Sequence, residues 1–273
     1  RFAPDGQEIV LSGDEPEEGP PRVGGAVFGP VRWHAADSGK LIREQRLASR
    51  ARLITPSPDW SRLAVATQEV RDEDGGPPAI RLLDAKTGAE TGHFDLEPTG
   101  WETVALAWSA DGRSLFTATS KKVIQTDAAT LKTIAEIKLP HFRLEPATKT
   151  PMESGLYRGA FVRHGTEILT AGDMAEFYGW RLMGGERLWA VKTDGQHFRV
   201  LLPSPDERLL AAVCIAADKS AKLRLFDLAS RRNIATFDLG RDHADRLAFS
   251  PDGSKLLAGC YDGTALVFDV SDL

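Results

Sequence analysis

The residues best suited to recognition gather in one stretch of the chain. His141-Phe142-Arg143, Met152 and Tyr157-Arg158 lie close together in sequence, and Trp101 stands on a neighbouring loop. Aromatic side chains and arginine combine a large contact area with donors or charge, and they are enriched among residues that carry binding energy. These seven are the candidate partner-binding residues. Other groups point to less. Cys214 and Cys260 are the only cysteines, and two thiols do not make a disulfide framework. The runs Asp14-Glu15-Pro16-Glu17-Glu18 and Asp72-Glu73-Asp74 read as solvated acidic loops. The second is followed by Gly75-Gly76-Pro77-Pro78 and lacks the alternating oxygen ligands of a calcium loop. The sequence has no phosphate-binding Gly-x4-Gly-Lys-Ser/Thr loop, no His-Glu-x-x-His, no Cys-x-x-Cys and no Gly-x-Ser-x-Gly. No catalytic residue, metal ligand or cofactor is assigned.

Composition narrows the classes further. The chain has 273 residues, 42% of them hydrophobic and 27% charged, which is globular usage rather than disordered or fibrous. Its net charge of −5 argues against a broad phosphate-binding surface, so nucleic acid is not an expected partner. No apolar run approaches the ~18 residues of a membrane span, so no membrane partner is expected. Asn233 is the one asparagine and is followed by Ile-Ala, so there is no glycosylation acceptor. The expected compartment is the cytoplasm, or the periplasm if a signal peptide precedes the parent chain.

The elements that must position these residues come from an internal repeat. A turn recurs at Ala3-Pro4-Asp5-Gly6, Ser57-Pro58-Asp59-Trp60, Ser109-Ala110-Asp111-Gly112, Ser204-Pro205-Asp206-Glu207 and Ser250-Pro251-Asp252-Gly253, with a decayed copy at Val162-Arg163-His164-Gly165. Anchored on Asp or on His164, the spacings are 54, 52, 53, 42 and 46. Pro presets the first turn position and Gly accepts a left-handed one, so the turn joins two antiparallel strands. Four residues after the anchor stand Ile9, Leu63, Leu115, Ile168, Leu210 and Leu256, all large and aliphatic. Seven and eight after it the residues are mostly small, as in Ala66-Thr67 and Ala171-Gly172.

A second landmark follows: Val31-Arg32-Trp33-His34, Arg81-Leu82-Leu83-Asp84, Val123 to Asp127, Arg224-Leu225-Phe226-Asp227 and Leu266-Val267-Phe268-Asp269. Tight turns and a last strand come next. Each unit is then four short antiparallel strands, and no segment keeps a helical period. Four-stranded repeats of this length are propeller blades. The expected fold is an all-β propeller with six repeats, at about 1–47, 48–96, 97–139, 140–194, 195–239 and 240–273, in a single domain. The chain opens inside a first strand and closes after a third. The last blade thus lacks its outer strand, which suggests a fragment of a seven-bladed ring.

The Ser-Pro-Asp-Gly turn, the small second-strand residues and the apolar-apolar-Asp ending of the third strand resemble the WD40 repeat family. The literal Trp-Asp pair is missing; its Trp place is assigned to Trp33, Leu83, Thr126, Phe226 and Phe268. The resemblance implies a structural role for His197 and His243, just before first strands, and a rigid non-enzymatic scaffold or sensor that binds a protein or peptide. The alternative is a propeller enzyme or small-ligand binder with a site in a central channel.

Long insertions fall at Asp14 to Gly29, Gln68 to Ala79, Glu97 to Thr103 and Pro140 to Gly159. All join second to third strands, or a fourth strand to the next blade. The expectation is a binding face at that end of the blades, because surface loops carry function. Trp108, Trp180 and Trp189 are expected to pack between blades.

Overall fold

The repeated turn closes on its own serine. In the second blade Ser57 Oγ donates to Asp59 Oδ1 at 2.6 Å and accepts from the Arg62 N–H at 3.0 Å. The same pair of bonds recurs at Ser109, Asp111 and Ser114, at Ser204, Asp206 and Leu209, and at Ser250, Asp252 and Lys255. The Asp also accepts the backbone N–H two residues on, so the side chain satisfies the turn's own donors. These bonds favour the charged carboxylate. Asp111 and Asp206 are held below the usual range, and Asp59 and Asp252 fall to about 2.

This has a consequence for acid stability. A carboxyl whose folded value lies below its ordinary 3.8 contributes stability above that pH and loses it as pH falls through the folded value. The melting temperature should therefore hold near neutrality and drop between pH 4 and pH 2. An Asp59→Asn/Asp252→Asn variant should melt lower than wild type at pH 6 and converge on it towards pH 2. Parallel curves would show that these turns do not drive the loss.

The computed structural model describes residues 3, 5–12, 30–47, 50–68, 78–96, 103, 105–119, 122–138, 158–163, 165–171, 176–193, 197–216, 220–240, 244–260 and 264–273. Among these there are only strands, turns and irregular connections, arranged in six antiparallel sheets of three or four strands. The chain divides into two compact units, residues 1–119 with 124–136, and residues 120–123 with 137–273.

The first unit holds a three-stranded blade, β1 (Glu8–Ser12), β2 (Val31–Ala35) and β3 (Leu41–Gln45). The second blade has β4 (Arg50–Pro56), β5 (Arg62–Gln68), β6 (Ala79–Asp84) and β7 (Glu90–Asp95). The third has β8 (Ala105–Trp108), β9 (Ser114–Ala118), β10 (Lys122–Asp127) and β11 (Thr133–Lys138), with part of β10 and β11 assigned to the second unit.

Inner strands are buried on both faces, as sheet stacked on sheet requires. Leu63, Val65 and Leu83 meet Val10, Val31 and Trp33 of the first blade. Ala64, Ala66, Ile80 and Leu82 meet Trp108 and Leu115 of the third. The outer strand β7 instead alternates half-buried and exposed positions, with one face to water. Arginines pin the first and second blades to the turns of the next blade. Arg62 donates to the carbonyls of Ala128 and Gly112 at 2.9 and 3.0 Å, and its guanidinium lies 4.7 Å over the Trp108 ring. Arg43 of the first blade donates to the Ala85 carbonyl of the second at 2.9 Å and lies 4.7 Å over Trp33 of its own blade.

The second unit contains β12 (Arg158–Val162), β13 (Glu167–Ala171), β14 (Glu176–Arg181) and β15 (Glu186–Lys192) in the fourth blade. The fifth has β16 (His197–Pro203), β17 (Leu209–Ile215), β18 (Ala221–Asp227) and β19 (Arg232–Asp238). The sixth has β20 (Ala244–Phe249), β21 (Lys255–Cys260) and β22 (Ala265–Asp269). Between the fourth and fifth blades, Leu169 and Phe177 pack with Phe198, Leu210 and Phe226. Between the fifth and sixth, Val213, Leu223 and Leu225 pack with Leu256 and Ala258.

The backbone register corrects several sequence assignments. Ile9 pairs with His34 and Val10 with Trp33, whereas Leu63 pairs with Leu83 and Leu210 with Phe226. His34, not Trp33, therefore holds the first blade's Trp place, and buried Trp33 sits one position earlier, facing the second blade. The fourth blade's third strand, β14, went unread in the sequence. Its Trp180 pairs with Ile168 and fills the Trp place there, with Nε1 donating to Thr170 Oγ1 at 2.8 Å. His197 is the first residue of β16 rather than a residue ahead of it. Cys214 and Cys260 are both free thiols, and Cys260 is half-buried.

Candidate interaction surface

A cavity of about 300 Å³ opens between the fourth and fifth blades, at the end where the short turns lie. The fourth blade supplies Val162, Arg163 and Glu167 from the β12–β13 turn, Arg181 from the end of β14, and Leu188 and Trp189 from β15. The fifth blade supplies Glu207 from the β16–β17 turn and Leu228, Ala229 and Arg231 from the β18–β19 turn.

Trp189 makes the apolar part of the wall. Its indole meets the Phe177 ring edge-on at 5.8 Å and covers Gly179, its partner across the β14–β15 ladder. A Cβ on Gly179 would fall within 2.7 Å of three indole atoms, so the ring lies flat only because that residue is glycine. Arg231 reaches back from the fifth blade and sets its guanidinium 5.4 Å over the same indole. A cation over an indole face is worth about 0.5–1 kcal/mol at an exposed site.

The charged groups around the indole are part paired. Arg181 meets Glu186 at 2.7 Å. Glu207 Oε2 accepts the backbone N–H of Arg163 at 2.6 Å, which ties the two blades' turns together. Arg163 Nε stays 3.9 Å from Glu167, at the limit of an ion pair, with its side chain 62% exposed. Among the described residues no group of three or more His, Cys, Asp or Glu comes together.

Backbone conformation singles this cavity out. Five described non-glycine residues have positive φ: Trp60, Leu131, Arg163, Glu207 and Arg231. Three of the five line the cavity. Arg231 has φ 62° in the place that Gly39, Gly88 and Gly185 fill in other blades. Glu207 has φ 56° in the place of Gly6, Gly112, Gly165 and Gly253. Arg163 has φ 54° where four other repeats have proline, whose ring fixes φ near −65°. Non-glycine residues in this region store roughly 1 kcal/mol or more each. Trp60 and Leu131 recover that cost by packing on the first-unit core. The three at the cavity end in charged groups instead.

Trp101, His141, Phe142, Arg143, Met152 and Tyr157 lie outside the described residues, as do the acidic loops and His243. Arg158 opens β12, at the end of the fourth blade opposite the cavity, and only its backbone is described. The cavity is thus at the other end of the strands from the predicted loop face. Sequence reading placed Trp189 correctly in strand packing but missed Arg163, Glu207 and Arg231. The available signal was a long charged residue standing in a turn column held mostly by glycine or proline.

Residues 239–269 match the family model described as WD domain, G-beta repeat, which spans the sixth blade. The chain is similar to the Transcription factor unc-37 of Caenorhabditis elegans, 29% identical over 107 residues, 39% of this chain and 17% of that protein. Among solved structures it is similar to Kuenenia stuttgartiensis Hydrazine Synthase, with a TM-score of 0.58 and 20% identity over 76% of this chain and 54% of that one. The chain spans under a fifth of the curated relative's length and about half of the structural one, and at 20% identity the second likeness concerns the fold. The six antiparallel sheets and the recurrent Ser-Asp turn give this chain an all-β propeller fold, and its sixth blade matches a WD repeat.

Proposed function

We propose that the chain is a non-enzymatic interaction module that binds a protein or a peptide. The observation that carries this reading is the inter-blade cavity, where an indole and three arginines stand together on a frame of buried sheets. Trp and Arg dominate binding energy where they can desolvate against a partner, and residues on rigid strands hold their geometry without a large ordering cost. The WD repeat adds support, because such propellers commonly serve as binding platforms. Trp101, His141, Phe142, Arg143, Met152, Tyr157 and Arg158 form a second proposed contact surface, on the long-loop end of the blades.

The test is affinity capture with the full chain, comparing wild type with a Trp101→Ala/Phe142→Ala/Tyr157→Ala variant of unchanged melting temperature. Loss of a specific protein in the variant places an interface on the loops. A partner kept by the loop variant but lost by an Arg163→Gln/Arg231→Gln variant places it at the cavity. Failure of the wild type to capture any protein, together with saturable binding of a metal or small molecule, would overturn the reading.

A further inference from the structure

We propose that the cavity between the fourth and fifth blades recognises an extended peptide that presents carboxylate side chains beside aliphatic ones. The inference rests on the reading of the chain as an interaction module and names the chemistry of its ligand.

The walls divide by chemistry. Val162, Leu188, Leu228 and the Trp189 indole form an apolar strip, suited to an aliphatic side chain. Arg163, Arg181 and Arg231 surround it. Arginine stays protonated at any working pH, and its planar fork matches a carboxylate. Their acidic neighbours leave this donor capacity in part unspent. Arg181 turns one nitrogen to Glu186, while Arg163 only approaches Glu167 at 3.9 Å. Arg231 sets its guanidinium carbon 5.4 Å over the indole centroid. A contact of this kind is made through the charge and the ring face, not through an N–H hydrogen bond to an acceptor.

The backbone gives the independent argument. The repeat fills most of its left-handed turn positions with glycine, and the two exceptions away from the cavity, Trp60 and Leu131, pack on a core. At this one cavity it places Arg231 in such a position, and Arg163 adopts a left-handed φ in a proline column. Strain kept at a surface site, without burial to offset it, marks a site held for something other than stability. The residues kept there are the cations. Glu207 fits the same account, because its carboxylate holds the Arg163 backbone in that conformation.

The experiment uses the full chain and two fluorescein-labelled decapeptides, one alternating Glu with Leu and one alternating Gln with Leu, read by fluorescence anisotropy. The Glu peptide should bind about tenfold or more tightly than the Gln peptide, and added salt should weaken it. Arg163→Gln/Arg231→Gln should lose about tenfold in affinity for the Glu peptide. Arg231→Gly supplies a control that folding cannot confound. It restores the residue that the repeat uses at this φ, so its melting temperature should equal or exceed wild type while affinity falls. Equal binding of the two peptides would overturn carboxylate recognition and leave the interaction reading standing. Full affinity in the double variant, or no binding of either peptide by a chain that still captures its protein partner, would remove the cavity from the account.

Discussion

Phe177→Ala should cost about 3–5 kcal/mol in urea unfolding, the range for removing a buried phenylalanine. Phe177 is 1% exposed, on β14 at the seam of the fourth and fifth blades. Its ring meets Phe226 at 4.9 Å, Phe198 at 5.7 Å and Trp189 at 5.8 Å, all edge-on. Each such pair adds to simple area burial. The hole left by alanine would be walled by rings from strands β15, β16 and β18. Those strands are fixed by their own ladders, so they cannot close over it. A Phe177→Leu variant keeps most of the volume and should lose markedly less. A measured loss below about 1 kcal/mol for the alanine variant would mean that the seam relaxes, and the rigid-frame basis for the cavity would fall with it.

The same seam shows what a sequence can and cannot disclose. The aliphatic column Leu63, Leu115, Ile168, Leu210 and Leu256 was legible because sheet-on-sheet packing demands one large residue at one depth in every blade, and all five are at most 1% exposed. The Ser-Asp turns were legible because their hydrogen bonds are local, within five residues. Register was less so. In the first blade the bulky Val10 and Trp33 lie one place out of column, and periodicity alone cannot tell which face a residue joins until the ladder is known. β14 escaped because Glu176-Phe177-Tyr178-Gly179-Trp180-Arg181 lacks the apolar-apolar-Asp ending. The cavity residues come from two blades 44 to 68 residues apart, as with Arg163, Glu207 and Arg231, and no spacing rule reaches across such a gap. The left-handed backbone of Glu207 and Arg231 was predictable from their largely glycine columns; that of Arg163, in a proline column, and the convergence of the three side chains were not.

Gly179→Ala should lose about 1–3 kcal/mol, the cost of forcing a methyl group into a filled site. In an ordinary strand the change would be favourable, since alanine has fewer unfolded conformations to surrender, by about 0.4–1 kcal/mol. The sign reverses here because the new Cβ would meet the Trp189 indole inside contact distance at three atoms. The ring cannot tilt away freely. Phe177 holds one edge of it and Arg231 lies over its face. Any tilt that clears the methyl therefore breaks the edge-on pair or the cation stack, and reshapes the cavity wall that Trp189 forms. A double-mutant cycle isolates this clash. Trp189→Leu alone should destabilise by loss of the aromatic pair. In the Gly179→Ala/Trp189→Leu chain the smaller side chain leaves room for the methyl, so most of the alanine penalty should vanish. The expected coupling is about 1–2 kcal/mol, within the range found for residues in contact. Strict additivity of the two losses would show that the indole does not rest on Gly179. Gly179→Ala should also weaken the Glu-Leu peptide more than its stability loss explains, because the displaced ring takes Arg231 with it. If affinity survives the displaced ring, the peptide does not use the Trp189 wall.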